Sequence, residues 1–231
     1  MENFKITRLE YGRGSKRAFL IFPHWGSNLF IYKMFVKLFP RTYRVLYHYS
    51  PSLLTADIPR TIERFGFLEK TVRNDFISFK KEGIDSLCFY GSSLGSILAT
   101  RLANIAKAEG FKVSLVLNLS SASFPYAVWN GKATRHIQKE LAAKGVTFEE
   151  LNKAWSYLSP VNNLKNLRRA PILLFASSRD DIFGRSNVAE LIMELKKSHP
   201  NATCSLTRLG HTLGGIKGFF GRSVIKPFLL R

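Results

Sequence analysis

"CFYGSSLGSILATRLA", residues 88–103, sets three serines and two glycines between two apolar runs. On the left, Ile84 to Tyr90 carries Leu87, Cys88, Phe89 and Tyr90 in succession and reads as a short strand. On the right, Ile97 to Ala108 spaces Leu98, Leu102, Ile105 and Ala106 at helical intervals. The small residues therefore fall on a tight strand-to-helix turn. Gly91-Ser92-Ser93-Leu94-Gly95 fits the pattern G-x-S-x-G, with Ser93 at its apex.

A reactive hydroxyl on so sharp a turn needs flanking glycines, because strand and helix pass close together and a side chain would crowd them. The helix that follows aims its first N–H groups, and its positive dipole end, at the same place. A plain Gly/Ser turn that lets a helix pack on a strand has the same composition. The rest of the chain has to separate the two readings.

Outward from the turn, strand-like runs alternate with helical ones. "RAFLIF" (17–22), "YRVLYHY" (43–49), "FKVSLVLNLSS" (111–121), "APILLFASS" (170–178) and "ATCSLTRL" (202–209) read as strands. Helices are expected over 29–38, 59–81 and 185–198, with one last helix over much of 213–229, and a Ser/Pro loop near residue 51. Strands separated by helices of this length imply crossover connections and a mainly parallel sheet, the α/β class. "FKITRLEY" (4–11) adds an antiparallel edge strand. No internal repeat and no low-complexity segment interrupts the pattern.

The interval 124–167 breaks the rhythm. It shows two helical patterns, 134–144 and 148–158, and no strand, and it gathers Tyr126, Trp129, Trp155 and Tyr157 among basic residues. It reads as a small helical cap inserted in a single domain spanning 1–231. Its aromatics either pack the cap down or, as with Trp129 and Trp155, contribute to a substrate pocket at the carboxyl ends of the strands.

A serine hydroxyl requires a neutral imidazole to take its proton and a carboxylate to orient that imidazole. Of five histidines, His48 lies in a strand, and His136 and His199 lie in or at the end of helices. His24 and His211 follow strands, and His211 sits beside glycines in "TRLGHTLGG". Only five aspartates exist, and Asp180 and Asp181 directly follow a strand. The chain order Ser93, Asp180, His211 is the one expected when an elbow serine is completed by later strands. Asp181 is the alternative acid. Either aspartate could instead cap the next helix, Asp181 more readily than Asp180.

These stretches together resemble the α/β-hydrolases of the compact bacterial type over nearly the whole chain. "PILLFASSRDDIF" is similar to the family's strand, turn and acid segment, with Ser177 where a glycine is usual and Asp180 at the acid. "LGHT" resembles the turn carrying the general base. "IFPHWGSN" (21–28) resembles the oxyanion loop, with Pro23-His24 replacing His-Gly. The resemblance implies the α/β-hydrolase fold, catalytic Ser93, Asp180 and His211, and an oxyanion hole formed by the backbone N–H groups of Trp25 and Leu94. His24 is expected in the substrate-pocket wall, with the role of base as its alternative, and Trp25 is expected to pack beside the site. Ser92 and Ser96 are expected to serve turn and helix packing.

The implied activity is hydrolysis of a carboxylic ester or thioester of a small molecule through an acyl-enzyme. The alternatives are a peptidase or amidase on the same scaffold, and a non-catalytic basic binding protein. No metal-ligand pattern and no nucleotide-binding glycine motif occurs, so no cofactor is expected. Cys88 and Cys204 do not form a disulfide framework, and the first residues lack the order of a signal peptide, so a cytoplasmic protein is expected.

The balance of 35 Lys+Arg against 16 Asp+Glu, net +19, favours anionic partners. The cations are scattered, with no nucleic-acid motif, so no nucleic-acid partner is expected. After Glu194 seven cations and no anion follow. Weak contact with an anionic membrane surface is one reading of that tail. The other, which is preferred, packs Phe219, Phe220, Val224, Ile225 and Phe228 on the sheet and leaves the cations solvated.

Overall fold

The computed structural model describes residues 4–39, 42–50 and 53–230. Pro51 and Ser52 of the expected Ser/Pro loop, and Arg231 of the basic tail, lie outside the described residues.

The chain runs β1 (Lys5–Tyr11), β2 (Arg17–Phe22), α1 (Leu29–Lys37), β3 (Tyr43–Ser50), α2 (Ile58–Lys81), β4 (Ser86–Ser92) and α3 (Leu94–Ala108). It continues with β5 (Lys112–Asn118), α4 (Phe124–Asn130), α5 (Arg135–Ala143), α6 (Phe148–Trp155), α7 (Pro160–Asn163) and β6 (Ile172–Ser177). Then come α8 (Arg185–Ser198), β7 (Ala202–Thr207), α9 (His211–Phe219) and α10 (Arg222–Leu230). The seven strands form one sheet in the order β1-β3-β2-β4-β5-β6-β7. β1 pairs antiparallel with β3 at one edge, and every other pairing is parallel.

Two-residue alternation in the strands builds two cores. Leu20, Phe22, Phe89 and Leu117 point to one face and pack with α2, α3 and α8. Phe19, Ile21, Cys88, Tyr90 and Val116 point to the other and pack with α1 and α10. A strand buried on both faces has to read as a continuous apolar run, and "CFY" and "LVL" do so. Helix starts are fixed locally: Asp57 accepts from the Arg60 N–H at 2.8 Å, and Thr147 and Glu150 form a capping box.

Two departures from the sequence reading have local causes. The single final helix is two, broken at Phe220–Gly221. A Cβ on Gly221 would stand 2.9 Å from the Phe175 ring, so chain and ring meet there closely. The interval 124–167 holds the two expected helices, α5 and α6, the second continued by a 3-10 turn over Ser156–Leu158, and adds α4 and α7. Phe124 and Trp155 turn inward: Phe124 lies 5.6 Å from Phe65 of α2 and stacks on Trp155 at 5.3 Å. Of the tail residues, Ile225 and Phe228 are buried as expected, while Phe220 and Val224 stay exposed. Among the described residues no helix is long and apolar enough to cross a membrane.

Candidate active site

A parallel sheet delivers the carboxyl ends of its strands to one edge, and the expected catalytic and oxyanion-loop residues lie just past such ends. Pro23-His24-Trp25 follows β2, Ser93 follows β4, Asp180 lies three residues past β6, and His211 follows β7 and opens α9.

Ser93 holds φ 51°, ψ −119°, a left-handed conformation that costs an L-residue on the order of 1–3 kcal/mol. The neighbourhood enforces it. A Cβ on Gly91 would fall 2.3 Å from the Gly95 carbonyl oxygen, and one on Gly95 would fall 2.1 Å from that of Phe22. Only glycine fits at either place. The Ser93 N–H donates to the Asn118 carbonyl at 2.9 Å, and the Ser96 hydroxyl donates to the Ser93 carbonyl at 2.6 Å. Ser93 stands at the N-cap position of α3 without capping it, so its hydroxyl is left for another partner.

That partner is His211, whose Nε2 lies 3.1 Å from Ser93 Oγ. His211 Nδ1 lies 2.7 Å from Asp180 Oδ2. An ionised carboxylate only accepts, so Nδ1 carries the proton and donates. In the neutral ring Nε2 is then an acceptor aimed at the serine hydroxyl. Asp180 is buried, and its other oxygen accepts the N–H groups of Ile182 at 3.0 Å and Phe183 at 2.7 Å. The Phe183 ring meets the imidazole edge-on at 5.0 Å. Ser177 bonds through its hydroxyl to the Leu209 carbonyl and tethers the two turns bearing Asp180 and His211.

Asp181 points to solvent, 3.3 Å from Lys132, whose ammonium lowers its pKa. Neither aspartate is the N-cap of α8. Gly184 is, at φ 83°.

The loop after β2 is fastened from three sides. The His24 N–H donates to Tyr32 Oη at 3.1 Å, His48 Nε2 donates to the Ser27 carbonyl at 2.9 Å, and Tyr49 donates to the Pro23 carbonyl. His24 Nδ1 also lies 2.9 Å from Tyr32 Oη. Burial lowers the His24 pKa, with repulsion from His211 adding to it, and burial raises that of Tyr32 to about 12. Among the described residues neither the Trp25 nor the Leu94 backbone N–H has a hydrogen-bond partner.

Ser93, His211, His24 and Trp25 line a cavity of about 450 Å³ whose other walls are mainly apolar, among them Leu119, Ile182, Ile216 and Phe219. Trp129 and Trp155 do not line it, contrary to the sequence expectation. Trp155 is fully buried against Phe124, and Trp129 packs on Phe148. Short amphipathic helices turn their largest apolar groups toward each other and the core, which is what happened to both. From the interval 124–167 only Ala133 reaches the wall.

Sequence reasoning missed Asn118 and the part of α9 in the cavity wall. Asn118 ends β5, and its Nδ2 donates to Tyr90 Oη at 3.0 Å and the Gly215 carbonyl at 2.9 Å. A polar residue closing the apolar run "LVLN" was the available signal. The cavity wall supplied by Gly215, Ile216 and Phe219 had no signal beyond helical spacing.

No family profile matches the chain. A stretch of 55 residues is 33% identical to the uncharacterized protein YdjC of Bacillus subtilis, covering 24% of this chain. The match spans about half of that relative's length, 47%. Solved structures align over nearly the full chain. The esterase Pf2001 of Pyrococcus furiosus is 15% identical, with a TM-score of 0.63 over 99% of this chain and 90% of its own. A carboxylesterase structure from Nitrososphaera is 16% identical, with a TM-score of 0.61 over 98% and 94%. The type II thioesterase BorB of the borrelidin biosynthetic cluster is 16% identical, with a TM-score of 0.61 over 97% and 96%. The seven-stranded, mainly parallel sheet with helices on both faces is the α/β-hydrolase fold.

Proposed function

We propose that the protein is a serine hydrolase that cleaves a carboxylic ester or thioester through an acyl-enzyme. The observation that carries this reading is the unbroken chain from Asp180 Oδ2 through His211 to Ser93 Oγ, with separations of 2.7 and 3.1 Å. Ser93 Oγ attacks the carbonyl carbon as its proton passes to His211 Nε2. The imidazolium that forms is stabilised by Asp180. The tetrahedral oxygen takes hydrogen bonds from the Trp25 and Leu94 N–H groups, the second reinforced by the positive end of α3. When the bond to the leaving oxygen or sulfur breaks, His211 gives that atom the proton. A water then attacks the acyl group, with His211 again as base, and the acid departs while Ser93 recovers its hydrogen. The apolar walls suit an acyl group of moderate size.

Fluorophosphonate labelling, with a panel of p-nitrophenyl esters graded by acyl length and matching thioesters and anilides, tests the proposal. Stoichiometric modification of Ser93, turnover of esters or thioesters, and loss of both in Ser93→Ala are expected. A folded protein that neither labels nor turns over any member would overturn it. Turnover confined to anilides would reassign it as an amidase.

A further inference from the structure

The mouth of the cavity is apolar and open. Ile31 of α1 and Ile216 and Phe220 at the end of α9 line the cavity, yet they are 47%, 49% and 70% exposed. Phe30, Met34, Leu213 and Val224, on the same helices and on α10, are exposed as well. Phe219 of α9 packs on Tyr32 and Phe35 of α1 at 5.6 and 4.3 Å, and Ile225 and Phe228 of α10 join the same cluster, so the three helices are neighbours. Single exposed apolar residues are ordinary, but seven large ones on adjoining helices, two of which border one opening, are the kind of feature that marks an interaction surface.

Charge narrows what the patch can meet. Lys33 and Lys37 on α1, Lys217 on α9, and Arg222 and Lys226 on α10 are exposed among these apolar residues. No aspartate or glutamate occurs anywhere in 11–56 or in 195–231, the two stretches that supply all three helices. The three helices thus bring no carboxylate of their own to this face. Exposed apolar side chains interleaved with cations complement a surface that is apolar below and anionic above, the boundary region of a bilayer with acidic headgroups.

We infer that this face docks on an anionic phospholipid bilayer, with the apolar side chains entering the headgroup–acyl boundary and the cavity mouth held against the lipid. The contact is peripheral, since no described helix can span. It concerns binding alone, so it stands or falls independently of the hydrolase proposal. Each well-placed cation is worth about a fivefold change in partitioning, and the attraction fades as salt shortens the screening length.

The test is co-sedimentation of the Ser93→Ala protein, which leaves the lipid intact, with phosphatidylserine–phosphatidylcholine vesicles and with phosphatidylcholine alone. Binding to the anionic vesicles at low salt is expected, with at least about a tenfold loss near 0.5 M salt, where the screening length falls to about 4 Å. Adding K33Q, K217Q, R222Q and K226Q should weaken it by at least about 100-fold. Adding F30S, M34S, L213S and V224S should weaken it by about tenfold or more at unchanged charge. The same charge change placed elsewhere, K80Q, K107Q, K153Q and K165Q, should cost less than about threefold. All these positions are exposed, and circular dichroism of each variant is the control for folding. No binding to anionic vesicles at low salt, or equal losses from the two lysine sets, would overturn the inference. So would a concentration-dependent dimer abolished by the serine set, which would give the face to a second copy of the chain.

Discussion

The Gly95 Cα faces the carbonyl of Phe22 so closely that a methyl group in place of its hydrogen would fall 2.1 Å from that oxygen. Helix α3 and the end of β2 are in backbone contact there, and no side chain can yield to relieve it. Gly95→Ala must therefore move the first turn of α3 or the start of the loop at His24. We expect a loss of roughly 1–3 kcal/mol in stability, together with a loss of fluorophosphonate labelling. Urea unfolding and labelling of the surviving native protein measure the two effects.

Ser93→Ala should lower turnover of any good substrate by about 10⁴-fold while leaving the unfolding midpoint near that of the parent. The positive φ is tolerated equally by alanine and serine, so the backbone has no reason to change. Ser92→Ala is the matched control. An active Ser93→Ala protein paired with a dead Ser92→Ala protein would move the nucleophile to the neighbour.

Asp180→Asn should cost about 10³- to 10⁴-fold in kcat, since an amide nitrogen facing Nδ1 favours the wrong imidazole tautomer. Asp181→Asn loses an exposed pair with Lys132 and keeps an acceptor oxygen for the His211 backbone, and should leave kcat within about twofold and stability within about 0.5 kcal/mol. Matched kinetics of the two variants check the ranking, and an inverted order would transfer the acid to Asp181.

Cys88 is buried in β4, and burial raises its thiol to about 12, whereas Cys204 on the edge strand β7 is only half-buried. Thiolate is the reactive form, so a disulfide reagent at pH 8 should modify Cys204 at least about 100-fold faster than Cys88. Peptide mapping of a partly labelled sample gives the ratio. Cys88 labelling should track global unfolding in urea.

Burial also lowers His24, so the folded chain binds fewer protons than the unfolded one as pH falls below the unfolded value of about 6.5. The stability associated with neutral His24 is present above that pH and is lost as pH falls toward the folded-state value. The urea midpoint should drop between pH 7.5 and 5.5, and His24→Asn should flatten that drop. Midpoints at three pH values suffice. An unchanged slope would remove His24 as its source.

Much of the architecture was written in local sequence. Strands buried on both faces must be apolar at successive positions, and the helices between them must carry one apolar stripe, so the alternation of the two patterns identified a mainly parallel sheet. The glycines of "GSSLG" announced the turn because only glycine survives a backbone approach of that kind. The two turns carrying Asp180 and His211 were found the same way, as polar residues placed just past apolar runs.

Tertiary structure decided what depends on direction and neighbours. Asp180 and Asp181 are adjacent in sequence and alike in chemistry. The N–H groups of Ile182 and Phe183 turn one inward to His211, while the other meets Lys132 in solvent. Trp129 and Trp155 could have faced a ligand or the core, and the packing of Phe124 and Phe148 took them away from the cavity. The cavity wall from α9 and the exposure of Phe30 and Phe220 were likewise decided by the packing of the helices. A hydrophobic pattern says that a residue seeks apolar surroundings, and only the arrangement of the helices determines whether the protein itself supplies them.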